Sequence, residues 1–81
     1  MNWTGWTDDV VLMLQTMELQ LGEEFTLARA YKFEDVLHRL HPKNNHIQAK
    51  IRQQLQVLQA YGYIEFLGNN GTYRLIRALP E

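Results

Sequence analysis

The stretch NNHIQAKIRQQLQVLQAYG, residues 44–62, runs directly into YIEFLGNNGTYRLI, residues 63–76, and the reading of these two segments decides the fold. Asn45 is placed to cap a helix, and Gln48, three residues on, can reach back to it as in a capping box. Ile47, Ile51, Leu55 and Leu58 recur at helical spacing and predict a buried stripe, with Tyr61 at its edge. Gly62 is placed to end the helix in a left-handed cap. Ala49, Arg52, Gln53, Gln56 and Gln59 fall opposite the stripe. Beyond Gly62 the period changes. Ile64 and Phe66 alternate with Glu65 and Leu67, and Tyr73 and Leu75 alternate with Arg74 and Ile76. Between these runs GNNG supplies residues that accept positive φ, which predicts a β-hairpin.

Working outward, FTLARAYKFEDVLHRLHP (residues 25–42) reads as a short extended piece and one helix. Thr26 is its expected N-cap, Ala30, Phe33, Leu37 and Leu40 form its apolar stripe with Val36 beside them, and Pro42 ends it. TDDVVLMLQTMELQLG (residues 7–22) reads as the first helix. Thr7 is the expected cap, Asp8 and Asp9 suit the positive end of the helix dipole, and Val10, Leu14, Met17 and Leu21 are expected to face the core. Leu12 and Leu19 fall on the other side, near Trp3 and Trp6. These four residues predict either a contact surface or ordinary surface apolars with NWTGW folded over them.

The expected order is helix, short strand, helix, tight connector, helix, hairpin. This is a mainly α winged helix-turn-helix of three helices plus a wing. Residues 1–81 read as a single domain, with an N-terminal arm at 1–6, helices at 7–61, the wing at 63–76 and a tail at 77–81. Eighty-one residues suffice for one small core. The absence of cysteine excludes disulfides and thiolate metal sites. No apolar run approaches the roughly 20 residues of a membrane span, and the N-terminus lacks the pattern of a signal peptide, so a cytoplasmic location is expected.

The third helix carries five Gln residues and no acid. An acid there would repel phosphate, whereas a Gln or Asn amide can grip an adenine edge at two points. In this architecture the third helix enters the major groove N-terminus first. Asn45, His46, Ala49 and Gln53 are therefore the expected base readers. Lys43, Asn44, Lys50, Arg52 and Gln56 are the expected backbone contacts, and Asn69, Asn70 and Arg74 those of the wing. The net charge is −1, but residues 1–24 hold five acids and no Lys or Arg, while all eight Lys and Arg lie later in the chain. Double-stranded DNA is the expected partner. The alternative is a protein-interaction winged helix, an adaptor or inhibitor, docking through Trp3, Trp6, Leu12 and Leu19.

The segment FTLARAYKFEDVLHRLHPKNNHIQAKIRQQLQVLQAYGYIEFLGNNGTYRL, residues 25–75, resembles the Dam-replacing winged-helix domain at the C-terminal end of Dpn-type methyl-directed restriction endonucleases. The likeness is carried by FTL, YKFE, LHPKNNHI, KIRQQLQVL and GYIEFLG. In those enzymes an N-terminal metal-dependent nuclease domain cleaves GATC sites bearing N6-methyladenine, and the winged helix is a second reader of the site. The resemblance thus implies a methyladenine reader. The acidic-plus-lysine cluster of the nuclease is not found in this sequence, so the expectation is recognition without cleavage: no enzyme, no cofactor and no metal, with a separate nuclease domain or another protein as the expected occupant of any docking surface at Trp3, Trp6, Leu12 and Leu19. His38, His41 and His46 show no recognisable ligand spacing. There is neither Cys nor Ser to act as a nucleophile.

Overall fold

The computed structural model of the protein describes residues 2–68 and 70–80. In chain order the elements are α1 (Gly5–Thr16), β1 (Glu24–Thr26), α2 (Leu27–Tyr31), α3 (Glu34–Leu40), α4 (Ile47–Ala60), β2 (Ile64–Gly68) and β3 (Thr72–Leu75). The strands form an antiparallel sheet in the order β1-β3-β2. This is a winged helix-turn-helix, with α3 and α4 as the helix pair and β2–β3 as the wing.

The α4 stripe lies where its period put it: Ile47, Ile51, Leu55 and Leu58 are all buried. Leu14 and Val10 of α1, Ala30 of α2, Leu37 of α3 and Ile64, Tyr73 and Leu75 of the sheet close on it to form one core. Gly62 has φ +81. The Gly62 N–H donates to the Gln59 carbonyl and the Tyr63 N–H to the Leu58 carbonyl, each at 3.0 Å, which is a Schellman cap. Thr26 caps α2 as expected, its hydroxyl accepting the Arg29 N–H at 3.1 Å.

Several expected boundaries move, each for a physical reason. Helix α1 begins at Gly5, so Trp6 belongs to the helix and not to an arm. Thr4 is extended and serves as N-cap, and Thr7 is a fully buried residue of the first turn. The helix ends six residues earlier than expected. Glu18 adopts φ +54 and Gly22 φ +87, turning the chain toward the sheet. There the Gly22 N–H donates to the Leu75 carbonyl at 2.7 Å and the Leu75 N–H to the Glu23 carbonyl at 3.0 Å. Leu21 sits on this turn and is 68% exposed, not part of the core.

The expected second helix is two helices. The ladder breaks at Lys32 and Phe33, where Phe33 takes φ −90, ψ 6, and Glu34 and Asp35 then open α3 as acids suited to a helix start. The break turns Val36 and Leu40 outward, and both are exposed. Asn45 is not the cap of α4. His46 holds that position, and the Asn44 side-chain oxygen accepts the His46 N–H at 2.7 Å. Gln48 does not reach back either; its amide donates to Glu34 Oε1 at 3.0 Å.

In the wing, β2 and β3 pair with an irregularity between Phe66 and Gly68. Phe66 leaves the core side and is 50% exposed, while Ile76 lies beyond β3 and is exposed as well. Asn70 and Gly71 have positive φ, and the Gly71 carbonyl accepts the Leu27 N–H at 2.8 Å, tying the wing tip to α2. Gly71 is required there on two counts, since a Cβ would also approach Leu27 Cβ to 3.1 Å.

Candidate nucleic-acid interface

The helix pair positions the site. The turn between α3 and α4 is held by the Asn44 N–H, which donates to the His41 carbonyl at 3.0 Å, and by the Asn44 side chain on the His46 N–H. These bonds fix the first turn of α4 and free Asn45 and His46 to stand in solvent. Ala49, Gln53 and Gln56 follow on the same exposed face. At about 100° per residue, Gln53 lies about 40° to one side of Ala49 and Gln56 about 20° to the other. No acid lies on α4 itself. The nearest acid that the structure ties to it is Glu34, bound by Gln48.

The cations frame this face. Lys43 is exposed on the turn, Lys50 is half-buried and Arg52 is exposed. Lys50 Nζ lies 5.9 Å from the centroid of the Trp6 ring, and that ring stacks on His41 with centroids 3.8 Å apart and planes at 15°. The Asp9 carboxylate accepts from His41 Nε2 at 2.6 Å. Trp6, His41, Pro42, Lys43 and Asn44 line a single shallow groove. On the other flank Arg52 Nη1 donates to the Tyr31 hydroxyl at 2.6 Å. Burial pushes the nearby Tyr73 phenol up from its ordinary value, Tyr31 adds to the rise, and the Arg52 charge opposes it.

The expected wing residues sit in different surroundings. Asn70 is exposed at the tip, while Asn69 lies outside the described residues. Arg74 sits in register with Glu24 on β1 and Glu65 on β2, and donates to both, at 3.2 and 3.3 Å. Its guanidinium charge is thereby engaged by two carboxylates.

Four residues of this neighbourhood have partners that no pattern in the sequence reveals. Trp6, Tyr31 and Asp9 meet their partners across long chain separations. Gln54, next to the exposed Gln53, is buried and accepts from the buried Thr7 hydroxyl at 2.6 Å. The surface considered for protein docking is divided: Trp3 and Leu12 line one groove, Leu19 a second and Trp6 a third. Trp3 packs edge-on against Tyr61 and Tyr63, with ring centroids 5.2 and 5.9 Å apart. Among the described residues no cluster of three or more His, Cys, Asp or Glu could hold a metal ion, and no helix is long and apolar enough to cross a membrane.

The model of the Dam-replacing HTH domain family matches residues 2–75. The chain belongs to this family. The match runs from the arm through all four helices to the end of β3, so it includes Trp6 and α1 as well as the helix pair and wing. As an HTH family, the Dam-replacing domains suggest DNA as the partner class, with α4 in the position of the groove-entering helix.

Proposed function

We propose that this protein binds double-stranded DNA sequence-specifically through the N-terminal half of α4 and reads N6-methyladenine in GATC-type sites. Asn45, His46, Ala49 and Gln53 face the bases, and Lys43, Lys50 and Arg52 face phosphates, with Asn44 and Gln56 beside them. Asn70 reaches toward the neighbouring backbone from the wing. Arg74 contributes less, because its two carboxylate partners compete with phosphate. The unit supplies recognition and no cleavage step.

The observation that carries this reading is the exposed Ala49 flanked by amides on an acid-free helix. An N6-methyl group projects into the major groove and replaces one donor hydrogen of adenine. Its reader needs an amide that still uses N7 and the remaining N6 hydrogen, and a small apolar residue that leaves room for the methyl. A Glu in place of Ala49 would repel the base edge, and a long side chain would fill the space. Burying one methyl is worth about 0.8 kcal/mol, a few-fold in affinity. Two methyls, one per strand of a palindromic site, bring the preference to about tenfold.

Salt tests the DNA reading. Each phosphate contact contributes about −0.9 to the slope of log K against log salt, so three cations predict a slope of about −2.7. Anisotropy titrations of a labelled GATC duplex at a series of salt concentrations give this number. A slope near zero would contradict DNA binding.

A further inference from the structure

Lys50 and Arg52 leave α4 on opposite flanks of the reading face. Relative to Ala49, Lys50 is turned about 100° one way and Arg52 about 60° the other. Each is held by an aromatic residue from another helix: Lys50 by the face of Trp6 in α1, Arg52 by the hydroxyl of Tyr31 in α2. Trp6 is in turn fixed by the stack on His41, which Asp9 anchors.

The kind of holder matters. A ring face attracts an ammonium without using its three N–H donors, and the Tyr31 hydroxyl takes one of the five donors of Arg52. Both holders are neutral, so they orient the cations and leave their charge and most of their donors free. Arg74 is the contrast within the same molecule, where the holders are two carboxylates. The widths also agree. An α-helix with its side chains is about 10–12 Å across and the major groove about 12 Å wide, so side chains leaving a docked helix on its two flanks meet the two phosphate walls.

We propose that Trp6 and Tyr31 are positioning residues that hold Lys50 and Arg52 apart, one aimed at each DNA strand, and so centre α4 in the groove. This inference rests on the DNA-binding reading given above.

The test uses five single variants of the full chain and two double variants, each checked by circular dichroism before titration. Trp6→Leu and Trp6→Phe both keep an apolar side chain, but only Phe keeps a π face. Tyr31→Phe keeps the ring and loses the hydroxyl. Lys50→Gln and Arg52→Gln each remove one cation outright. Trp6→Leu and Tyr31→Phe are each expected to flatten the salt slope by up to about 0.9, one phosphate contact, and to weaken specific and random duplexes by the same factor. Trp6→Phe is expected to retain the wild-type slope. Trp6→Leu in the Lys50→Gln background, and Tyr31→Phe in an Arg52→Gln background, are expected to produce no further flattening. A residue that acts only on stability moves none of these slopes. The inference is overturned if the two holder variants keep the wild-type slope, or flatten it equally when their cation is already gone. A wild-type protein whose duplex affinity does not respond to salt would instead overturn the DNA reading itself.

Discussion

Gln53 and Gln54 are chemically identical neighbours with opposite environments, and replacing Gln54 with Leu separates their roles. Gln54 is 3% exposed and Thr7 fully buried, and their 2.6 Å hydrogen bond ties α1 to α4. The Thr7 hydroxyl is used twice, since it also accepts the Thr4 N–H at 3.0 Å at the start of α1. Gln54→Leu nearly preserves volume but removes the 2.6 Å acceptor, leaving the proton of the buried Thr7 hydroxyl only the long 3.5 Å contact to Thr4 Oγ1. That costs about 1–3 kcal/mol. For a domain of this size each kcal/mol lowers Tm by about 4–8 °C. In urea, with m near 1 kcal/mol/M, the midpoint falls by about 1–3 M. Replacing both partners, Thr7→Val with Gln54→Leu, is expected to recover only part of the loss: both side chains are then apolar, but the Thr4 N–H loses its acceptor at the start of α1. Well below the melt, duplex affinity of the single variant stays close to wild type, since the Gln54 side chain points away from the reading face. A Gln54→Leu protein that melts with the wild type would refute the reasoning, because the Thr7 proton would then have another acceptor.

Gln53→Ala is expected to leave Tm unchanged and to cost about 1–3 kcal/mol on the preferred duplex with little change on a random one; equal losses on both would make Gln53 a generic contact. Tyr73 gives a pH dependence of definite sign. Its phenol pKa is raised in the folded state, so above about pH 10 the unfolded chain releases the proton first, and stability falls as pH rises toward the folded value. Urea midpoints of wild type and Tyr73→Phe are therefore expected to run parallel below about pH 10, with the wild type falling more steeply above it; parallel curves throughout would show no linkage at Tyr73.

What the sequence made legible follows from the range of each interaction. The α4 stripe, the Gly62 cap, the Thr26 cap and the hairpin around GNNG are set by residues a few positions apart, and each was readable from spacing alone. Where one stripe runs across a turn, spacing misleads. Ala30, Phe33 and Leu37 keep helical intervals through the break at Lys32 and Phe33, and the acidic pair Glu34 and Asp35 was the local sign of a new start. The early end of α1 depends on pairing of Gly22 and Glu23 with Leu75, which no local pattern reveals. The site divides in the same way. The exposed face of α4 and its cations followed from periodicity. The carboxylates on Arg74, the Trp6 face under Lys50, the Tyr31 hydroxyl on Arg52 and the burial of Gln54 follow from tertiary contacts between distant residues.

The central claim is that α4 reads methylated adenine, and one titration tests it most directly. The chain is titrated at fixed salt against fully methylated, hemimethylated and unmethylated GATC duplexes of the same length, with a scrambled duplex as reference. The account predicts graded affinities, fully methylated above hemimethylated above unmethylated. The ends differ by about tenfold, from about 0.8 kcal/mol per methyl, and Ala49→Leu abolishes the gradient. Equal affinities for the three GATC duplexes would contradict methyl reading, and affinities equal to that of the scrambled duplex would contradict base readout by α4 altogether.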